Sequence, residues 1–284
     1  MIEKKEFGKT GFSVSRIGMG TYYDPSWIVL DKALHVRPNE ERRINAIKTG
    51  LELGLNLIDT AEIYGTERLV AKAIKGYDRN DIFIATKVWP NHFSFEKIIS
   101  SCDHSLAALE TSYIDLYQLH FPSNKYSVTE TMHAMEKLVD DGKIRYIGIS
   151  NFSLEQTKEA MAALRKYEII STQMDFSLQK RNIENDLVPF CRENNIAILP
   201  YYPLGHGDLA KASAYPSEAY NEIIANHGKI SPSQIALNWF LTKFDFVFPI
   251  PRASNPQHVI ENANSMGWKL SQKEIDLLEN SFKH

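Results

Sequence analysis

The sequence contains few of the features that mark specialised classes of protein. Its 284 residues include only two cysteines, Cys102 and Cys191, which are too few for a disulfide framework and stand at no metal-ligand spacing. Cys102 falls on the apolar stripe of a predicted helix, so we expect it to be a buried free thiol. No two histidines stand four residues apart and nothing resembles a zinc site, so no metal is predicted. A reducing cytoplasm is the simplest compartment for such a chain.

Long hydrophobic runs and a strong charge of either sign are also missing. No stretch of about 18 apolar residues occurs, and the opening MIEKKEFGKT lacks the apolar core of a signal peptide. The formal net charge is −3, which gives no reason to expect nucleic acid or an anionic membrane as a partner. With 43% hydrophobic and 24% charged residues, the composition is that of a soluble globular protein with a large core.

What is present is an alternation of short apolar runs with segments of helical periodicity. Three serines, each followed three residues later by Glu or Gln, predict helix N-termini at Ser127, Ser153 and Ser231, and Ser271 predicts a last helix in the same way. The predicted strands are residues 14–21, 56–59, 81–88, 113–120, 144–150, 169–175, 196–201 and 246–250.

Eight strands alternating with helices predict parallel pairing, which leaves a closed barrel and an open doubly wound sheet as alternatives. The open dinucleotide-binding sheet needs a glycine-rich turn that opens a helix after its first strand. The sequence there, GMGTYYDPS, lacks the third glycine and is predicted to open no helix. We therefore expect a single (β/α)8 barrel domain over residues 1–284, with an N-terminal hairpin around GKTG and a C-terminal helix.

Polar side chains stand at the ends of most of these predicted strands. Each has an ordinary explanation alone: a strand-end Asp caps a loop, a Lys extends to solvent, and Ser-Asn caps a helix. In a parallel barrel, however, all of them face one rim, where such folds place their active sites. The strand-end residues are Asp59, Lys87, His120, Ser150, Asn151, Gln173, Asp175 and Tyr201.

Four of the polar residues predict a proton donor that faces a carbonyl group. A lysine inside the barrel mouth is costly to bury without an anion, and Asp59 on the strand next to Lys87 can be that anion. A lysine ammonium near the phenol of Tyr64 is expected to lower its pKa and so to favour proton exchange. His120 can hydrogen-bond a carbonyl oxygen in the same site. No side chain supplies a hydride, but a nicotinamide cofactor can.

Six separated motifs resemble those of the aldo-keto reductase family, in the same order along nearly the whole chain. They are LIDTAEIYG, ATKVW, LYQLHFP, GKIRYIGISNF, YYPLG and IPRASNPQHVIENA. The resemblance implies a (β/α)8 barrel and reversible NAD(P)H-dependent reduction of aldehydes and ketones. It implies a catalytic tetrad with Tyr64 as general acid, Lys87 as its partner, Asp59 as counter-ion and His120 as the residue that orients the carbonyl.

The resemblance also implies the cofactor contacts. Ser150, Asn151 and Gln173 would hold the nicotinamide carboxamide, and Tyr201 would stack on its ring. The pyrophosphate would lie under PLGHGDL, with Pro203, Leu204, Gly205 and Leu209 as its contact residues.

The adenosine end of the cofactor is expected at the last motif. Arg252 stands where the family often places a cation for the 2′-phosphate, Asn255 would cap the following helix, and Asn262 would contact the adenine. His258 departs from the family pattern, because NADP-preferring members often have arginine there. We predict a preference for NADPH and leave the use of NADH open.

The substrate pocket is expected to be lined by Tyr22, Trp89 and Phe121, an aromatic lining that suits a small carbonyl compound. The protein is expected to be a monomer or a weak homo-oligomer. Two other functions remain open at this point. The family includes potassium-channel β-subunits, which bind cofactor as regulatory proteins, and a barrel lyase could use Lys87 to form a Schiff base without any nicotinamide.

Overall fold

The structure is a computed structural model that describes residues 2–34 and 37–282.

A small hairpin precedes the barrel. Strands β1 (Lys4–Glu6) and β2 (Ser13–Ser15) pair antiparallel. Gly8 and Gly11 in the connecting loop have φ angles of 56° and 68°, a left-handed conformation that glycine adopts without steric cost. The hairpin predicted around GKTG is therefore present.

In the part of the chain that the structure describes, seven parallel strands follow, and each pairs with its neighbours in chain order. Their side chains are almost entirely buried, as expected for strands covered by helices on the outside and packed against each other inside. The strands are β3 (Met19–Gly20), β4 (Leu57–Asp59), β5 (Phe83–Val88), β6 (Ile114–Leu119), β7 (Ile144–Ser150), β8 (Ile169–Asp175) and β9 (Ala197–Tyr201).

Residues 246–253 close the barrel between β9 and β3, although they form no regular strand. Pro249 and Pro251 lack a backbone N–H, so the ladder is interrupted and pairing is limited to isolated bridges. The predicted eighth strand, 246–250, is thus an extended closing segment. Its backbone bonds to both neighbours are Phe248 N to Ile198 O (2.8 Å), Ile250 N to Pro200 O (3.1 Å), Gly18 N to Pro249 O (2.9 Å) and Gly20 N to Pro251 O (2.9 Å).

Two predictions near the N-terminus were wrong. The run 14–21 is divided between the hairpin and the barrel, because the chain turns after Ser15, whose hydroxyl donates to Ile17 O at 2.8 Å. The segment after β3, predicted to open no helix, forms α1. Asp24 caps it by accepting a hydrogen bond from Trp27 N at 2.9 Å, and Pro25 suits the first helical position.

Helices cover the barrel. Full capping boxes are present at Ser153, Ser231 and Ser271. At Ser127 only one of the two capping hydrogen bonds forms, from Glu130 N to the Ser127 hydroxyl. The Glu130 carboxylate accepts instead from Phe95 N, at the start of a neighbouring helix. The helices are α1 (Pro25–Leu34), α2 (Glu40–Leu53), α3 (Glu67–Ile74), α4 (Phe95–Leu109), α5 (Val128–Asp140), α6 (Leu154–Ala163), α7 (Leu187–Glu193), α8 (Ser217–His227), α9 (Pro232–Lys243), α10 (Pro256–Ala263) and α11 (Gln272–Ser281).

The hairpin seals one end of the barrel with aromatic side chains. Phe7 is fully buried, and its ring centroid lies 4.9 Å from that of Phe83 and 5.1 Å from that of Phe248. These residues belong to an apolar cluster inside the barrel. Because Phe83 is the first residue of β5 and Lys87 is near its end, the polar residues are left at the opposite, C-terminal rim.

Candidate active site

A buried ion pair links the ends of β4 and β5. Lys87 Nζ donates hydrogen bonds at 2.8 Å to both carboxylate oxygens of Asp59 and at 2.8 Å to the carbonyl of Thr60. Lys87 is fully buried and Asp59 is 3% exposed. Gln173 Nε2 donates to Asp59 Oδ1 at 2.7 Å. Burial lowers the pKa of Lys87, while the adjacent Asp59 carboxylate acts against that shift and favours the charged amine.

Tyr64 stands directly above this pair. It ends a 3₁₀ turn, Glu62–Tyr64, which carries the chain over the rim after β4. Its hydroxyl lies 3.3 Å from His120 Nε2, and Lys87 Nζ lies 5.0 Å from its ring centroid. The structure therefore brings together all four residues of the predicted tetrad.

The direction of the Tyr64 pKa shift differs from the expectation. Burial, followed by the charge of Asp59, raises the pKa of this phenol well above 10. All three Lys87 N–H groups are directed at Asp59 and Thr60, which leaves none for the phenol. Tyr64 consequently holds its proton at neutral pH.

His120 is a neutral imidazole in this site. Burial, together with the positive charge of Lys87, lowers its pKa to about 2. Its Nδ1 atom is buried with no hydrogen-bond partner among the described residues. A neutral imidazole donates from one nitrogen only, and the nitrogen that can serve a ligand beside Tyr64 is Nε2.

The predicted carboxamide-binding residues form a connected cluster at the ends of β7, β8 and β9. Ser150 Oγ donates to Gln173 O at 3.1 Å, and Asn151 Nδ2 donates to His120 O at 3.0 Å. Asn151 has a φ angle of 65°, which turns the chain sharply at the rim. Tyr201 Oη donates to Asn151 Oδ1 at 2.7 Å. The cluster adjoins the ion pair through Gln173.

The glycine-containing loop after β9 is tightly turned. Gly205 has a φ angle of 53°, and a Cβ there would lie 2.4 Å from Gln179 Oε1, so only glycine fits without a shift. Pro203 and Leu204 lead into this turn. Leu209 is fully buried in the core.

A cationic cleft lies beside the closing segment. It has a volume of about 290 Å³, and Arg252 and His258 are among its lining residues. Asn255 caps α10 by accepting from Gln257 N at 3.1 Å, and Asn262 is buried outside the cleft lining. The remaining lining residues are Tyr23, Asp24, Asn39, Arg42, Arg43 and Ser254.

Sequence reasoning missed Arg42 and Arg43. Both stand in the first turn of α2, far from the last motif in sequence. The only available signal was architectural, because α2 follows the first barrel strand and α10 follows the closing segment, so the two helices become neighbours when the barrel closes.

Aromatic side chains surround Tyr64 and His120. The Tyr22 ring centroid lies 5.1 Å from that of Tyr64, and the Trp89 ring centroid lies 5.2 Å from that of His120. Phe121 stacks on His120 at 5.2 Å and is 38% exposed. Tyr202 was not predicted to belong to the site. Its ring centroid lies 6.2 Å from that of Tyr22, so it extends the aromatic lining around Tyr64.

Glu62 has a structural role at the rim. Its carboxylate accepts a hydrogen bond from Trp89 N and lies 3.0 Å from His92 Nδ1. It thereby ties the turn that carries Tyr64 to the loop that carries Trp89.

Residues 2–34 and 37–282 contain neither a metal-binding cluster nor a membrane-spanning helix. No group of three or more His, Cys, Asp or Glu side chains is arranged to hold a metal ion. None of the described helices combines the length and apolar character needed to cross a membrane.

Comparisons with known proteins agree with this architecture. The aldo/keto reductase family model matches residues 16–282. Methylglyoxal reductase YeaE of Escherichia coli is 34% identical over 273 residues, 95% of this chain and 92% of that protein. Glyoxal reductase of Bacillus subtilis is 32% identical over 244 residues, 85% and 84% of the two chains.

A solved structure confirms the predicted barrel. The aldo/keto reductase of Klebsiella pneumoniae, in complex with NADP and acetate, superimposes with a TM-score of 0.85 at 31% identity, covering 99% of this chain and 96% of that one. Sequence, fold and site geometry thus lead to the same conclusion. The chain belongs to the aldo/keto reductase family.

Proposed function

We propose that the protein is an NADPH-dependent reductase of small aldehydes and ketones, with Tyr64, His120, Lys87 and Asp59 as its catalytic residues. The observation that carries the proposal is the position of a proton-bearing phenol. Tyr64 Oη lies 3.3 Å from a neutral His120 and directly above a buried Lys87–Asp59 pair. That arrangement presents two proton donors to one carbonyl oxygen and keeps a positive charge nearby.

A nicotinamide cofactor held at this site would supply the hydride that reduces the carbonyl carbon. His120 donates a hydrogen bond from Nε2 and so orients the carbonyl oxygen. Tyr64 gives its Oη proton to that oxygen as negative charge develops there, which completes the alcohol. Its raised pKa ensures that the proton is present at the start. Lys87 stabilises the phenolate that remains, and Asp59 keeps Lys87 charged.

The residues around the site fit NADPH. Ser150, Asn151 and Gln173 place amide and hydroxyl groups beside the ion pair, where a carboxamide can be held, and Tyr201 offers a ring face. The cationic cleft near Arg252 suits a phosphate at the other end of a dinucleotide. NADP in the Klebsiella pneumoniae relative supports the same cofactor.

Small dicarbonyl compounds are the substrates that we propose to test first. The walls around Tyr64 are aromatic and uncharged, with Tyr22, Trp89 and Phe121 as proposed contacts. The relatives named as methylglyoxal and glyoxal reductases support this choice.

The Schiff-base alternative is disfavoured by the position of Lys87. Its amine is fully buried, and all of its donors are engaged by Asp59 and Thr60. A nucleophilic amine has to be accessible and uncharged to attack a carbonyl. A regulatory, cofactor-binding role leaves the arrangement of Tyr64 and His120 without a purpose.

We further infer that residues 1–284 act as one domain in the cytoplasm.

Two measurements on the purified protein test the proposed function. NADPH fluorescence should change on titration with protein, and methylglyoxal or 4-nitrobenzaldehyde should then oxidise NADPH, followed by absorbance. Binding without turnover of any carbonyl in a panel would favour the regulatory role. Failure to bind either nicotinamide dinucleotide would rule out the reductase.

A further inference from the structure

The cationic cleft is built from two distant parts of the chain. Arg252 and His258 come from the closing segment and α10, whereas Arg42 and Arg43 come from the first turn of α2. Among its lining residues, Asp24 is the single carboxylate. Three guanidinium groups around one carboxylate leave an excess of positive charge, and such an excess favours an anionic ligand.

Tyr23 joins the two halves of the cleft. Arg252 Nη1 donates to the Tyr23 carbonyl at 2.8 Å, and the Tyr23 hydroxyl donates to Ala253 O at 3.3 Å. The Arg43 guanidinium lies 4.0 Å from the centroid of the Tyr23 ring and 3.9 Å from that of Trp27. Stacking between two rings holds the plane of Arg43 in a fixed direction.

Arg43 has donor capacity that the protein does not use. Its Nη1 is buried without a hydrogen-bond partner among the described residues, and its ion pair with Asp24 is long, at 3.8 Å. The carboxylate of Asp24 already accepts from Ser26 Oγ and Trp27 N as the cap of α1. Burial lowers the pKa of Arg43, Tyr23 and Asp24 act against that shift, and the neighbouring Arg252 and Arg42 add to it by repulsion. A bound dianion would satisfy the free donor and relieve the repulsion between the arginines.

We infer that Arg43, assisted by Arg42, binds a phosphomonoester in this cleft and is a determinant of the preference for NADPH over NADH. The ligand would be the 2′-phosphate of the cofactor, so the inference rests on the proposed function. It assigns the selectivity to α2 as well as to the closing segment. His258 then need not supply the second positive charge, because Arg43 does.

The test is direct binding of both dinucleotides, measured by fluorescence or calorimetry, to the wild type and to Arg43→Ala, Arg43→Lys and Arg42→Ala. Arg43→Ala should weaken NADPH by about tenfold or more, since a hydrogen bond to a charged group contributes about that much. NADH binding should change less than about twofold. Arg43→Lys should recover only part of the loss, because an ammonium cannot stack or present a planar fork. Arg42 is exposed, so Arg42→Ala should have a smaller effect of the same sign.

Arg192→Ala is the matched control, because Arg192 is also exposed and lies over an aromatic ring, 5.3 Å from the centroid of Phe246. It removes one positive charge near the end of α7 and should leave both affinities unchanged. Competition by inorganic phosphate against NADPH, but not NADH, in the wild type would support a phosphate subsite. Equal weakening of NADPH and NADH by Arg43→Ala would overturn the inference while leaving the reductase intact. If the wild type binds neither dinucleotide, the proposed function itself fails.

Should Arg43→Ala prove unstable, Arg43→Gln keeps hydrogen-bonding groups at the position without the charge. Circular dichroism of each variant at the titration temperature establishes that it is folded. A Gln variant that is folded and selects NADPH over NADH as well as the wild type does would contradict the inference.

Discussion

At the scale of single residues, the site depends on one side chain that stays neutral in a charged neighbourhood. His120 is 6% exposed, and its burial, together with the positive charge of Lys87, lowers its pKa to about 2. A protonated imidazole beside the buried amine would repel it. The proposed chemistry needs the neutral form, since that form can orient a carbonyl without adding a second positive charge beside Lys87.

This shift makes His120 a source of acid sensitivity in folding. Its pKa rises to about 6.5 when the chain unfolds, so the unfolded state binds the extra proton between about pH 2 and 6.5. Stability is therefore complete above about pH 6.5 and is lost as the pH falls. Between pH 7.5 and 5 the wild type should lose about 2 kcal/mol more unfolding free energy than His120→Gln, by urea denaturation. Equal losses would mean that His120 is not held neutral.

The sequence predicted which residues meet at the rim but not how their protons are distributed. Asp59, Lys87 and His120 could be placed because they end consecutive strands of one barrel. The lowered pKa expected for Tyr64 was wrong because burial, followed by the charge of Asp59, dominates the shift, while Lys87 directs its donors at Asp59 and the Thr60 carbonyl. The burial and the Thr60 contact became visible only in three dimensions. Arg43 was missed for a similar reason, since its role depends on a contact between distant helices.

At the scale of elements, serine caps define most of the helix starts that the sequence predicted. Ser231 accepts from Gln234 N at 3.3 Å, while Gln234 Oε1 accepts from Ser231 N at 2.8 Å. At Ser127 only the first bond forms, at 3.4 Å. The pattern of residue types is the same at both sites, so the difference arises from the surroundings. Glu130 at the second site is drawn to Phe95 N.

This difference between caps gives a prediction about stability. Ser231→Ala should lower the free energy of unfolding by about 1 kcal/mol, because it removes the part-buried hydroxyl that accepts from Gln234 N. Ser127→Ala should cost clearly less, because the hydrogen bond that it removes, from Glu130 N, is exposed to solvent. Urea denaturation of the two variants under identical conditions decides the matter, and a cost for Ser127→Ala as large as that for Ser231→Ala would contradict the assignment.

Element prediction failed where backbone context overrode the local pattern. The run 14–21 looks like one strand because its apolar residues continue through the turn at Arg16. The run 246–250 does lie in the barrel wall, but its proline prevents a regular ladder. The start of α1 was missed although Asp24-Pro25 is a recognisable cap.

At the scale of the whole molecule, stability and chemistry occupy opposite ends of the barrel. The hairpin inserts Phe7 against Phe83 at the start of β5, and Lys87 stands four residues further along. At about 3.3 Å per residue, roughly 13 Å of strand separates them. The aromatic seal is thus able to affect folding without touching the site.

This separation predicts the behaviour of hairpin variants. Phe7→Ala should cost about 3–5 kcal/mol of stability, because it leaves a cavity in a closed cluster. Turnover per folded molecule should remain close to that of the wild type. Phe12 is a matched control on the same hairpin, because its ring centroid lies 5.5 Å from that of Phe83 but its side chain is only partly buried. Phe12→Ala should therefore lower the free energy of unfolding by less than Phe7→Ala does. A loss of turnover in folded Phe7→Ala would show that the two ends are coupled.

The measurement that tests the account most directly is hydride transfer by Tyr64→Phe. Single-turnover oxidation of bound NADPH by methylglyoxal should slow by about 10²- to 10⁴-fold, since the variant loses the proton donor. NADPH affinity should stay close to that of the wild type, and Tyr77→Phe, at an exposed tyrosine, should leave the rate unchanged. A rate for Tyr64→Phe near that of the wild type would contradict the central claim that Tyr64 protonates the carbonyl.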